Sequence, residues 1–177
     1  MNVPNAITII RILLIPLFLY KVIQGDMVFA TVVYLTAAIS DGLDGFIARV
    51  WNLKTELGTF LDPMADKLLV ATSFLTLSVL KIIPLWIALA VISRDFIIVG
   101  GSLLVYLMKG ELTIHPQAIG KVTTFFHFSY ILLVLLGSAF VIPFLSRLYN
   151  PMLFITGGLT IISLVVYILD GLKALED

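Results

Sequence analysis

Six apolar stretches, each close to the ~20 residues that an α-helix needs to cross a bilayer, follow one another along this chain. They cover residues 6–22, 27–49, 59–80, 84–107, 121–142 and 150–169. The breaks between them carry charges and turn formers: Gln24-Gly25-Asp26, Asn52 to Gly58, Lys81 to Pro84, Lys109 to Pro116, and Pro143 to Pro151. Loops this short make consecutive helices antiparallel neighbours in one bundle. The expectation is an all-α, polytopic membrane protein, a bundle of six transmembrane helices forming a single domain over residues 1–177. Composition points the same way. Hydrophobic residues make up 60% of the chain, charged residues 12%, and mean hydropathy is +1.13. A soluble domain is about half apolar and a quarter charged. The surplus has no core large enough to hide in, so lipid is its solvent.

The first stretch lacks a basic leader, carries Arg11 inside it and offers no small-residue cleavage site before Lys21, so it is expected to stay in the mature chain. Cysteine is absent, which excludes disulfides and thiolate chemistry. Zero net charge gives no reason to expect nucleic acid as a partner. With six spans, Arg49, Lys54, Lys109, Lys121 and Lys173 fall on the side of both termini, against Lys21, Lys81 and Arg147 on the other. That bias favours cytoplasmic termini. No internal repeat or inverted pair of broken spans is present.

Four aspartates decide the chemistry. The second stretch ends in Asp41-Gly42-Leu43-Asp44-Gly45-Phe46-Ile47-Ala48-Arg49. At about 100° per residue, Asp41, Asp44, Gly45 and Ala48 share one face. At the start of the third stretch Gly58, Asp62 and Asp66 recur every four residues and share another. An aspartate in mid-bilayer costs roughly 2.5–3.5 kcal/mol, and four together repel one another. Capping or interfacial pairing accounts for one such residue, not for four aligned with three small ones. Hard divalent cations resolve the conflict, since Mg²⁺ or Mn²⁺ prefers carboxylate oxygens. Two histidines and no cysteine argue against zinc. Two carboxylate pairs on neighbouring helices suggest two cations, clamping the attacking and leaving oxygens of a phosphoryl displacement. Gly45, Ala48 and Gly58 would let a phosphate ligand approach backbone. Asp66, last on its face, would accept the proton of an attacking hydroxyl.

The pattern Asp41-x-x-Asp44-Gly45-x-x-Ala48-Arg49, eight residues, Gly58-x-x-x-Asp62-x-x-x-Asp66 resembles the signature of the CDP-alcohol phosphotransferase family. That resemblance implies a six-helix membrane fold, usually a homodimer, with its active site open to the cytoplasm. It implies that Asp41, Asp44 and Asp62 bind the metals and that Asp66 serves as metal ligand or general base. It implies nucleotide contacts for Gly45, Ala48, Arg49 and Gly58. The segments Asn2 to Arg11 with Pro16, Trp51-Asn52-Leu53 and Leu61 to Leu68 are similar to the phosphatidylglycerophosphate synthase branch of that family. In that branch CDP-diacylglycerol gives its phosphatidyl group to glycerol 3-phosphate and CMP leaves. The resemblance also places Asn5, Thr8 and Arg11 at the nucleotide end of the cavity. A helix cap with a snorkelling arginine is the plainer reading of those three.

Basic residues elsewhere must receive the acceptor. Arg94, inside the fourth stretch, would bind a phosphate in two-pronged fashion, the alternative being a pair with Asp95. Lys121, after Gly120, is a second phosphate candidate or else an interfacial lysine. Lys67 points about 100° away from Asp66 and is not expected to offset the aspartates. Where the synthase pattern has a glutamate and a second lysine, this chain has Asp95 and Thr123, which is similar to the CDP-dependent cardiolipin synthases with phosphatidylglycerol as acceptor. A metal-ion or proton transporter is the reading of another class, and a membrane scaffold a third. His115 and His127 read as hydrogen-bonded structural histidines, and Phe125, Phe126, Phe128 and Tyr130 as packing or lipid-facing aromatics. Lys81 and Arg147 read as interfacial anchors.

Overall fold

The structure is a computed structural model that describes residues 3–50, 56–109, 117–140 and 142–176. For residues 3–7, 41–50, 56–64, 106, 109, 143 and 174–176 it describes the helical backbone only. Six helices follow in order: α1 Val3–Ile23, α2 Met27–Val50, α3 Glu56–Val79, α4 Leu85–Lys109, α5 Ala118–Phe140 and α6 Pro143–Glu176. Among the described residues there is no strand.

Local chemistry sets the hairpins. Gly25 ends α1 at φ +80, with its N–H on the Val22 carbonyl and the Asp26 N–H on that of Lys21, both at 3.0 Å. This is the paired-bond helix stop that favours glycine. Asp26 then caps α2, accepting the Phe29 N–H on Oδ1 at 3.2 Å, and Lys21 reaches back to Asp26 at 3.3 Å. The α3–α4 turn uses the same device with the wrong residue. Lys81 adopts φ 59, while its N–H meets the Ser78 carbonyl and the Ile82 N–H meets that of Leu77. A side chain in this left-handed region costs about 1 kcal/mol that glycine does not. Lys81→Gly is therefore expected to stabilise the protein by about that amount, read as a raised unfolding midpoint in detergent.

Helix α6 departs from expectation. The segment from Pro143 to Pro151, read above as a loop holding Arg147, is the start of a 34-residue helix. Pro143 takes the first helical position, where no N–H is needed. Pro151 lies inside the helix, and a proline is tolerated there when neighbouring helices and local adjustment satisfy the freed carbonyl.

The helices close into a ring. α1 packs on α2 and α3, α2 on α5, α5 on α6, α6 on α4, and α4 on α3, while α3 also touches α5 across the middle. Consecutive helices are neighbours in three hairpins, as expected, but among the described residues α2–α3 and α4–α5 are not closely packed pairs. α1 and α5 each touch both α2 and α3, so they flank the two helices that carry the aspartates. Phe18, Tyr34, Phe74, Leu77, Ile87, Val91, Ile131 and Leu135 fill the apolar core. Tyr34 sits between the rings of Phe18 and Phe128 and donates to the Phe128 carbonyl at 3.4 Å, tying α2 to α5.

The exterior is apolar as well as the core. Thr8, Arg11, Ser73, Arg94, Thr123, His127, Thr160 and Ser163 are buried beside that core, while Leu13, Phe96, Leu107, Phe125 and Phe154 face outward. An exterior this apolar is stable in lipid and not in water. Leu85–Val105, Ala118–Phe140 and Phe144–Lys173 are long and apolar enough to cross a membrane, and Met27–Ser40 is a shorter apolar stretch. That makes three such helices among the described residues, not six. The runs in α1 to α3 are cut short within the described residues, because described side chains begin at Thr8 in α1, end at Ser40 in α2 and begin again at Ala65 in α3.

Candidate active site

Helix geometry places Asp41, Asp44, Gly45, Ala48 and Arg49 on the last turns of α2, Gly58 and Asp62 on the first turns of α3, and Asn5 on α1. The side chains of these eight lie outside the described residues. Thr8, one turn after Asn5, is buried.

Asp66 is described, and it is held. Arg11 Nη1 donates to its Oδ1 at 2.7 Å, from a guanidinium that is 0% exposed, while Asp66 keeps 30% of its side-chain surface open. The pair joins α1 to α3 across 55 residues of sequence. Arg11 is thus a buried partner of the fourth aspartate, and not a snorkelling cation. A contact this distant in sequence has no local signature.

Beyond Asp66 the bundle opens into a cavity of about 210 Å³ between α3, α4 and α5. Asp66, Lys67 and Val70 line it from α3, Arg94 and Asp95 from α4, Thr124 and His127 from α5. Arg94 is therefore in one chamber with Asp66. Its guanidinium is also committed: Nη1 donates to Asp95 Oδ1 at 2.6 Å and Nη2 to Ser163 Oγ at 2.8 Å. The pairing with Asp95, given above as the alternative, does form. A long arginine side chain folds back across the angle between adjacent helical residues. The Arg94 guanidinium also lies 5.7 Å from the centre of the Tyr167 ring, whose hydroxyl accepts the Gln117 N–H at 3.3 Å. Gln117 in turn bonds Asp170. Arg94 Nε remains buried without a partner among the described residues.

The α6 residues that fix Arg94 were missed, although their spacing held the signal. Thr156, Thr160, Ser163 and Tyr167 recur at four, three and four residues, one polar stripe along an otherwise apolar helix. Thr160 donates to the Thr156 carbonyl at 2.7 Å, so its oxygen accepts from His127 Nε2 at 2.9 Å. His127, edge-on to Phe74, is the hydrogen-bonded structural histidine expected. Lys121 is exposed at the start of α5 and is not among the residues lining the cavity. Thr123 is turned onto α6, its hydroxyl within 2.8 Å of the Ile119 carbonyl and 3.3 Å of that of Leu159.

Among the described residues no group of three or more His, Asp or Glu side chains is placed to hold a metal ion. The aspartates expected to do so with Asp66 lie outside the described side chains. The chemistry of the donor set fits a hard divalent cation: Asp66 presents carboxylate oxygen, and the one imidazole lining the cavity, His127, spends its Nε2 on Thr160.

Comparison with known proteins adds the rest. A CDP-diacylglycerol–glycerol-3-phosphate 3-phosphatidyltransferase of Aquifex aeolicus is 36% identical over 177 residues, covering 98% of this chain and 97% of that protein. The protein of the same name in Bacillus subtilis is 35% identical over 138 residues, 70% of each chain. A human cardiolipin synthase (CMP-forming) is 38% identical over 121 residues, 68% of this chain and 39% of that protein. Residues 1–169 match the CDP-alcohol phosphatidyltransferase family. Neither a transporter nor a scaffold fits these matches, and the chain belongs to the CDP-alcohol phosphatidyltransferase family of enzymes.

Proposed function

We propose that this chain transfers the phosphatidyl group of CDP-diacylglycerol to a hydroxyl of glycerol 3-phosphate, giving phosphatidylglycerophosphate and CMP. The observation that carries it is the cavity in which Asp66, fixed by Arg11, faces the same space as the clamped guanidinium of Arg94. Similarity along nearly the whole of both chains to an enzyme named for that reaction supports it.

All six helices would span the cytoplasmic (inner) membrane as one domain over residues 1–177, with the aspartate ends at the cytoplasmic face and a second copy as partner. Asp41, Asp44, Asp62 and Asp66 would hold two Mg²⁺ or Mn²⁺ ions. When bound, these ions neutralise the diphosphate and the charge on departing CMP. Asn5, Thr8, Gly45, Ala48, Arg49 and Gly58 would receive the nucleotide, while the acyl chains stay in lipid. Arg94 would bind the acceptor phosphate and so aim its hydroxyl at the phosphorus, while Lys121, outside the cavity lining, would attract that phosphate from the start of α5. Asp66 would take the hydroxyl proton as the new O–P bond forms and the P–O bond to CMP breaks.

One observation favours a second reading. An apolar groove of about 250 Å³ between α3 and α4, lined by Leu68, Ala71, Ile92, Phe96 and Val99, meets the cavity at Lys67 and Asp95. An acceptor that is itself a lipid, phosphatidylglycerol, would fit its head group in the cavity and a chain in the groove. The test is CMP release by purified protein given CDP-diacylglycerol, Mg²⁺ or Mn²⁺, and one acceptor at a time. Release with glycerol 3-phosphate is the expected result. Release with phosphatidylglycerol alone would move the assignment to cardiolipin synthesis, and silence with both would reject the reaction.

A further inference from the structure

Lys67 follows Asp66 on α3, and its side chain leaves the aspartate face toward α4. It lines both hollows of this region, the polar cavity and the apolar groove. Its ammonium stands 3.9 Å from Asp95 Oδ1, which is attraction without a hydrogen bond. The same oxygen already takes Arg94 Nη1 at 2.6 Å. Two cations therefore share one carboxylate, and the shorter contact belongs to Arg94. Lys67 is left 39% exposed, with three donors and no hydrogen-bond partner among the described residues, at the seam between a polar chamber and a lipid-facing groove.

An ammonium in that position is expensive unless an anion or water meets it. Arg94 has the matching shortfall, a buried Nε–H without a partner among the described residues. The residues that line the cavity include two cations, Lys67 on α3 and Arg94 on α4, which one anion can meet together. On the reading above, one arrives with every turnover: the phosphate group of the acceptor. We propose that Lys67 is the second cation of the acceptor-phosphate site, binding it from α3 while Arg94 binds it from α4. Asp95 is then a positioning residue, holding the guanidinium fork in place and keeping Lys67 nearby until the phosphate draws it in. This inference rests on the proposed transfer reaction and assigns the substrate contact that Thr123, turned onto α6, does not make.

The experiment is the dependence of initial CMP release on glycerol 3-phosphate at saturating CDP-diacylglycerol, for wild type, Lys67→Gln and Lys67→Arg. KM is read from the active fraction, so partial unfolding of a variant does not disturb it. Lys67→Gln is expected to raise KM for glycerol 3-phosphate by about tenfold or more, the loss of one charge-assisted contact, with KM for CDP-diacylglycerol unchanged. Inorganic phosphate, added as a competitor, should inhibit this variant more weakly in proportion, and Lys67→Arg should recover most of the affinity. An acceptor KM within about twofold of wild type in Lys67→Gln, or equal increases in both KM values, overturns the proposal. A wild type that uses only phosphatidylglycerol refutes the proposed reaction instead. The same variants then decide the phosphate contact from the KM of that acceptor.

Discussion

Asp66→Asn is expected to lower CMP release by about 10²–10⁴-fold while leaving the protein folded, the range by which a positioned general base accelerates a proton transfer. The substitution keeps shape, and an amide oxygen still accepts from Arg11 Nη1 across the present 2.7 Å. What it removes is the negative charge and the ability to take a proton. The check is the initial rate of CMP release beside the unfolding midpoint of the same preparation. A variant that folds normally and keeps more than about a tenth of the activity would take Asp66 out of the chemistry. If Asp66 also shares a metal, the rate lost will be partly regained at higher Mg²⁺ or Mn²⁺, which a pure base would not allow.

Arg11→Met has the largest expected effect on stability. The arginine is fully buried and pairs with a carboxylate that is one-third open, so its removal takes a buried counter-ion from that negative charge. Breaking a buried pair from one side costs about 3–5 kcal/mol, and the open edge of Asp66 puts this case near the lower end. Thermal or denaturant unfolding in detergent measures it. Arg11→Met combined with Asp66→Asn should recover part of the loss, because the negative charge is then gone. Equal midpoints for wild type and Arg11→Met would mean that the pair holds nothing together.

The all-helical fold, with its six helices, was legible because lipid imposes a simple pattern. Helix starts and stops at Gly25 and Asp26 follow from residue chemistry, and their hydrogen bonds are where the sequence put them. The start of α6 was not legible, because Pro143 and Pro151 signal turns in water-exposed loops and a helical run within this bundle. Site residues divide along similar lines. Asp66 and Arg94 were chosen because charge inside an apolar run demands a purpose, and both line one cavity. The link from Arg11 to Asp66 was hidden by the 55 residues between them. Lys67 was dismissed on a correct angle: about 100° away from Asp66 is the direction of Asp95. Which helices flank α2 and α3 is a property of the ring, and no local periodicity encodes it.

That ring has a consequence for biogenesis. α2 lies against α1, made just before it, and against α5, whose Phe128 meets Tyr34 across 94 residues of chain. A nascent polypeptide with its first four helices made already carries Arg94 and Asp95, yet Ser163, Tyr167, Thr124 and His127 have not been synthesised. Its reaction chamber lacks a wall, and its guanidinium has lost one of its two anchors to the ribosome's unfinished work. Insertion machinery must shelter this half-lined interior until the last two helices arrive, so premature termination yields a membrane-embedded fragment with uncovered polar surface, the kind of species that quality-control proteases remove.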